Sequence, residues 1–89
     1  MTPRRAALIE KLRNLQTDVR SAQDEPGASG YLPGIEATLE RMLEKISAPR
    51  AERDRIAGGL GRVVTDDYAF SESELGGRLL AVADEYAEL

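Results

Sequence analysis

Apolar side chains recur along this chain at alternating intervals of four and three positions. In the first stretch they stand at Leu8, Leu12, Leu15, Val19 and Ala22. Because an α-helix returns every third or fourth residue to the same face, these intervals predict one narrow apolar stripe along a helix. Thr2 can cap that helix and Pro3 suits its first turn, so we place it at residues 3–23.

The same intervals recur in three later stretches. Their stripes fall at Ile35, Leu39, Met42 and Ile46, then at Ile56, Leu60 and Val63, and finally at Leu75, Leu79, Val82, Tyr86 and Leu89. Pro33 and Pro49 stand at the expected first turns, where a proline loses no helical hydrogen bond. The pattern therefore predicts further helices over residues 33–47, 49–63 and 72–88.

Local start signals support two of these helices. Ser71 and Glu74 have the spacing of a capping box, in which each side chain reaches the other's backbone N–H. Phe70 and Leu75 have the spacing of the hydrophobic staple that accompanies such a box. Ser47 is the expected cap of the third helix.

The four stripes predict an all-α fold, a small four-helix bundle formed by a single domain over residues 1–89. Residues 24–32 contain Pro26, Gly27 and Gly30 and are expected to form a flexible loop. No stretch alternates with period two, so we expect no sheet. Because the stripes are narrow, the core closes either within one chain or with a second copy as a homodimer, and we keep both alternatives.

The composition excludes several kinds of chemistry. The chain has no Cys and no His, so disulfides, thiolate nucleophiles, Cys/His zinc sites and imidazole acid–base catalysis are absent. We therefore expect no enzyme activity, no cofactor and no metal. The longest apolar runs, such as residues 6–9, are too short to span a membrane, and we expect a cytoplasmic location.

The charges divide unevenly along the sequence. The net charge of −4 combines a basic first helix with an acidic stretch after residue 63. In an antiparallel bundle, these terminal helices are expected to neutralise each other. An acidic row at Glu36, Glu40 and Glu44 should be neutralised within the chain, either by Arg41 and Lys45 or by the group of Arg50, Arg53 and Arg55. The less favoured alternative is neutralisation by a basic partner protein.

The connection before the last helix is the candidate partner-binding site. Its acidic and aromatic residues are Asp66, Asp67, Tyr68, Phe70 and Glu74. Loops that combine aromatic and charged side chains are suited to binding. We expect this surface to meet a basic surface on another protein, as in an inhibitor, an immunity-type protein or an adaptor. The alternative is a structural turn in which Tyr68 and Phe70 close the end of the bundle.

A second candidate surface lies on the first helix. Arg4 and Lys11, and likewise Arg13 and Arg20, are seven residues apart and share a face in pairs. This basic face is the alternative site, for nucleic acid, in a small regulator. It is the less favoured interpretation, because an acidic chain is a poor general binder of nucleic acid and surface bases usually form weak ion pairs.

A glycine-rich run, Gly58 to Gly61, interrupts the third predicted helix. Glycine in a helix interior costs about 1 kcal/mol relative to alanine. The run is therefore expected either to break the helix or to let another backbone approach closely. Its spacing does not match the glycine motifs that bind nucleotides.

Overall fold

The computed structural model describes residues 3–89 and places their regular structure in helices alone. The elements of this part of the chain are α1 (Pro3–Ala22), α2 (Leu32–Glu44), α3 (Arg50–Asp66), α4 (Tyr68–Ser71) and α5 (Glu74–Glu88). The predicted all-α bundle of four long helices is confirmed, and α4 is an additional short helix. The expected cap Thr2 lies outside the described residues. None of these helices is long and apolar enough to cross a membrane.

The four long helices pack as an antiparallel square. α1 contacts α2, α2 contacts α3, α3 contacts α5, and α5 closes the ring on α1. The ion pairs Lys11–Glu85 and Asp18–Arg78 show the antiparallel course of α1 and α5, because the later residue of α1 meets the earlier residue of α5. The bundle measures 39 × 21 × 18 Å, which is the elongated shape expected of an up-and-down arrangement.

The apolar stripes meet in one core between the helices. Each long helix contributes a leucine that is 0% exposed: Leu12, Leu39, Leu60 and Leu79. The residues predicted for the stripes of α1, α2 and α5 are all buried, apart from three that are half-buried at the helix ends: Ala22, Leu75 and Leu89. The core is thus filled by side chains of one chain.

The glycine-rich run has neither of its predicted effects. α3 continues through it without a break and ends at Asp66 instead of residue 63. A Cβ placed on Gly58, Gly59 or Gly61 would meet no atom within 4 Å. The glycines therefore face open space, and no other part of the described chain packs closely against them.

The start of the last helix also differs from its prediction. Ser73, not Ser71, caps α5, and its Oγ accepts the Gly76 N–H at 3.0 Å. The hydroxyl of Ser71 instead donates to the Tyr68 carbonyl at 2.7 Å, because Ser71 is the last residue of α4. The predicted capping box of Ser71 and Glu74 is therefore wrong, and α5 begins at Glu74.

The same shift removes the predicted staple of Phe70 and Leu75. With Ser73 as the cap, Phe70 lies three residues before it, in the body of α4. A Cβ on Gly76 would overlap the Phe70 carbonyl group. Glycine at position 76 therefore lets α5 begin directly against α4.

The turn between α2 and α3 is longer than predicted. α2 ends at Glu44, and Pro49 precedes α3 without any side-chain cap. The Ser47 hydroxyl accepts from Arg5 Nη1 at 3.4 Å, so it is not the predicted cap of α3. Proline disfavours helical geometry in the residue before it, which separates the two helices by a turn.

Arg53 is a buried charged residue, only 8% exposed. It does not neutralise the acidic row of α2, for which the sequence had suggested it together with Arg50 and Arg55. Its Nε donates to the Ala48 carbonyl at 3.1 Å and its Nη1 to the Tyr86 carbonyl at 3.0 Å. The Tyr86 hydroxyl crosses the core and donates to the Met42 carbonyl at 2.8 Å. We call Arg53, Ala48, Tyr86 and Met42 the polar latch.

The polar latch satisfies backbone groups that the helices leave open. The Met42 carbonyl lies in the last turn of α2, where helix ends leave carbonyls without an intrahelical partner. The Tyr86 carbonyl, in the last turn of α5, accepts from the Leu89 N–H at 3.4 Å as well as from Arg53. Burial raises the pKa of the Tyr86 phenol above its ordinary value of 10.0, and the nearby charge of Arg53 opposes that rise. The latch fixes the end of the bundle opposite the predicted site.

Candidate functional site

The predicted site lies at one end of the bundle together with the loop between α1 and α2. The up-and-down course brings residues 23–31 and 67–73 to the same end, which we call the loop end. The two segments border a shallow depression of about 240 Å³. Its lining includes Glu25, Pro26 and Ala28 from the first segment and Phe70 from the second.

The excess of acidic over basic side chains lies in the half of the bundle around this end. If each long helix is divided at its midpoint, the half that contains the loop end consists of residues 13–37 and 59–80. It carries eight acidic and four basic side chains, whereas the other half carries eight of each. The whole excess of −4 therefore lies in the half of the bundle around the loop end.

Two large apolar residues are exposed in the described chain, and both lie at the loop end. Tyr68 in α4 is 76% exposed, and Tyr31 at the start of α2 is 44% exposed. Every other large apolar side chain that the structure describes is buried or half-buried. Exposed tyrosines are frequent anchors of protein interfaces, because a rigid ring and a hydroxyl are presented together.

The acids around Tyr68 are exposed and unpaired. Asp66, Glu72 and Glu74 form no ion pair with any described residue. Glu74 stands in the first turn of α5, where the positive end of the helix dipole favours a carboxylate. These three carboxylates are therefore available to a partner without the loss of an internal contact.

Two residues of the predicted site have a structural role instead. Asp67 caps α4, and its carboxylate accepts the Phe70 N–H at 3.1 Å. The Phe70 side chain is half-buried and packs against the core. Asp67 and Phe70 thus hold the connection in shape, and Asp66, Tyr68 and Glu74 form its exposed surface.

Sequence reasoning missed the contribution of residues 23–31 to this end. Asp24 and Glu25 are exposed and form no ion pair in the described chain, and Tyr31 is the second exposed aromatic residue. The predicted bundle already implied this contribution, because an up-and-down course places alternate loops at the same end. Adding this segment widens the acidic surface beyond the last third of the sequence.

The basic face predicted on α1 is largely occupied by acids of the same chain. Arg4 pairs with Glu88 at 3.7 Å and Lys11 with Glu85 at 2.8 Å, both across to α5. These contacts agree with the expected neutralisation between the terminal helices.

The two other bases of this face differ from each other. Arg20 pairs with Glu36 of α2 at 3.4 Å, whereas Arg13 has no ion pair with the described residues. Arg13 is thus the one unpaired member of the predicted face in this part of the chain. The use of this face for nucleic acid stays an untested prediction.

Two members of the acidic row on α2, Glu36 and Glu40, are bonded to side chains of α1, not to the bases that the sequence suggested. Besides Arg20, the Gln23 amide donates to Glu36 at 3.1 Å. The Gln16 amide donates to Glu40 at 2.8 Å. Glu36 and Glu40 therefore help to join α1 to α2, whereas Glu44 is exposed and has no ion pair in the described chain.

The loop end presents an exposed aromatic ring and unpaired carboxylates beside an open depression. Among the described residues, no group of three or more carboxylates is placed to hold a metal ion. The depression between the two loop segments is open, and Leu32, Phe70 and Leu75 line it together with residues of the loops. An exposed tyrosine surrounded by unpaired carboxylates offers apolar contact and attraction for a basic surface.

Comparison with protein-family models, with characterised proteins and with solved structures gives no match for this chain. A functional interpretation therefore rests on the geometry of the bundle itself.

Proposed function

We propose that this chain is a small protein-binding domain whose loop end holds the basic surface of a partner protein. The observation that carries the proposal is the coincidence, at one end, of the whole net charge and the exposed Tyr68 ring. Unpaired carboxylates steer a basic partner during encounter, and the tyrosine supplies the desolvated contact that slows dissociation.

The proposal describes a non-enzymatic inhibitor, immunity-type protein or adaptor that acts in the cytoplasm. It is supported by a rigid scaffold that presents an exposed aromatic and by the lack of histidine and cysteine in the chain. Polar groups inside the core are satisfied by the polar latch. The charged side chains that can bind a partner therefore lie on the surface.

Affinity capture with matched charge variants tests the proposal. The site variant carries Glu72→Lys and Glu74→Lys, and the control variant carries Glu10→Lys and Glu44→Lys. All four glutamates are exposed and unpaired in the described chain, so both variants change the net charge equally. We expect a basic protein from the native host to be retained by wild type and by the control variant, and lost by the site variant.

Quantitative mass spectrometry of the retained proteins decides the outcome. A partner that binds the two variants equally well would show that the loop end is not the binding surface. Loss of the partner from both variants would show a response to overall charge alone. With the purified partner, the association rate should fall as salt rises, because steering acts between exposed charges.

A further inference from the structure

The outward face of α3 carries four exposed residues at intervals of four, three and four positions. They are Arg55, Gly59, Arg62 and Asp66, and we call them the α3 stripe. These intervals keep the four residues along one side of the helix. The stripe borders a groove of about 370 Å³ between α2 and α3, which Val63 and Arg41 also line.

The charges of the α3 stripe have no partners within the described chain. Arg55, Arg62 and Asp66 form no ion pair, although Arg62 and Asp66 stand at the favourable spacing of four residues. By contrast, Arg50 and Asp54 on the same helix do pair at that spacing. Opposite charges therefore stand unpaired at the two ends of one exposed stripe.

We propose that this chain forms a two-fold symmetric dimer through the α3 stripe. When two copies of α3 lie antiparallel, Arg55 of each copy meets Asp66 of the other. In the same register, Arg62 of each copy lies over Gly59 of the other. The dimer therefore contains two such contacts, which its two-fold axis relates to each other. A two-fold interface requires a surface that complements itself, and this order of residues provides that complementarity.

The open glycines allow the two helices to approach. Gly58 and Gly59 have no atom near the position of a Cβ, so each leaves a gap in the outer surface of α3. Arg62 of the second copy fills the gap at Gly59, which lies on the same side of α3 as Val63. Gly58 lies towards α5, outside this contact. Small residues bring helix axes towards the short end of the usual 8–10 Å separation.

A second copy fits this face better than an unrelated partner. The face supplies both members of the ion pair in the register that an antiparallel contact needs. The half-buried Val63 supplies apolar contact beside the axis. Isologous contacts of this kind close at two chains, so the dimer does not extend into a filament.

The dimer extends the proposed function without depending on it. Antiparallel α3 helices turn the two loop ends in opposite directions, so each dimer presents two acidic surfaces. Asp66 lies at the border of both surfaces, whereas Tyr68, Glu72 and Glu74 stay outside the α3 contact. Substitutions at Glu72 and Glu74 should therefore abolish partner binding and leave the dimer intact.

Sedimentation equilibrium of charge variants tests the dimer. Wild type should show a reversible monomer–dimer equilibrium. Arg55→Glu alone and Asp66→Arg alone each place like charges opposite each other, and each should weaken the dimer about tenfold or more. The double variant that carries both changes exchanges the two charges and should restore the dimer. Arg13→Glu, an unpaired surface base on α1, is the control and should leave it unchanged.

Three results would overturn the proposal. One is a monomeric wild type at every concentration up to about 1 mM, the range of weak association. Another is a double variant that stays as weak as either single variant while its circular dichroism shows a folded bundle. The third is an Arg13→Glu control that dissociates as readily as Arg55→Glu. None of these results bears on capture of a basic partner by the loop end.

Discussion

Arg53 illustrates how a single buried residue joins three parts of the bundle. Its guanidinium bonds two carbonyls, one in the turn before α3 and one in the last turn of α5. The sequence offered a signal for its burial, because Arg53 precedes Ile56 and Leu60 at the intervals of the apolar stripe. Patterns of apolar residues alone cannot show it, since burial of an arginine depends on open carbonyls supplied by distant helix ends.

Replacement of Arg53 should destabilise the fold. Arg53→Ala leaves the carbonyls of Ala48 and Tyr86 without these donors and removes the packed stem of the side chain. We expect the free energy of unfolding in urea to fall by about 1–3 kcal/mol. Arg13→Ala, at an exposed arginine without an ion pair in the described chain, should change it by less than about 0.5 kcal/mol. Equal effects of the two substitutions would contradict the role of the latch.

Tyr86 gives the latch a dependence on pH. Its phenol has a raised pKa in the folded protein, so the folded state holds the proton more tightly than the unfolded state does. The resulting stability is complete below pH 10 and is lost as the pH rises above about 10. Urea unfolding at a series of pH values should show this loss in wild type and in Tyr68→Phe, but not in Tyr86→Phe. A loss of the same size in Tyr86→Phe would exclude Tyr86 as its source.

At the scale of elements, the long helices followed from the sequence and the connection before α5 did not. Repeated intervals over fifteen residues or more identify a helix, because many positions agree. A four-residue helix such as α4 has no such pattern, and two serines close together, Ser71 and Ser73, each offered a cap. Ser73 can cap α5 because Gly76 has no Cβ and therefore leaves room for the Phe70 carbonyl at the start of the helix.

Two neighbouring glycines in α5 should therefore respond in opposite ways to the same change. Gly76→Ala forces a Cβ onto the Phe70 carbonyl, and we expect a clear loss of thermal stability. Gly77→Ala points a Cβ into open space and should raise the free energy of unfolding by about 0.5–1 kcal/mol, through the better helix propensity of alanine. Thermal melts of the two variants beside wild type provide the comparison.

If both alanine variants melt at the same temperature, the contact between α4 and α5 is not as described. Gly34→Ala is a second reference for an open helical position. It should gain stability as Gly77→Ala does, because neither glycine is in contact with another part of the described chain.

At the scale of the molecule, ion pairs join the helices, and the excess of acidic side chains lies in the half around the loop end. The pairs between α1 and α5 and the contacts between α1 and α2 neutralise most bases of α1. Both exposed tyrosines and five exposed, unpaired acids lie at the loop end: Asp24, Glu25, Asp66, Glu72 and Glu74. Glu10, Glu44 and Asp84 are exposed and unpaired in the other half of the described chain, where bases balance the acids. The sequence predicted part of this surface, but residues 23–31 joined it only through the three-dimensional course of the chain.

The central claim is that a basic partner binds at the loop end, and an NMR titration tests it most directly. ¹⁵N-labelled protein is mixed with the purified partner, and the shift of each backbone amide is followed. The account predicts that the largest shifts fall within residues 23–31 and 66–75, and that residues 3–12 and 41–55 change little. Shifts concentrated in the latter two ranges, at the opposite end of the bundle, would contradict it.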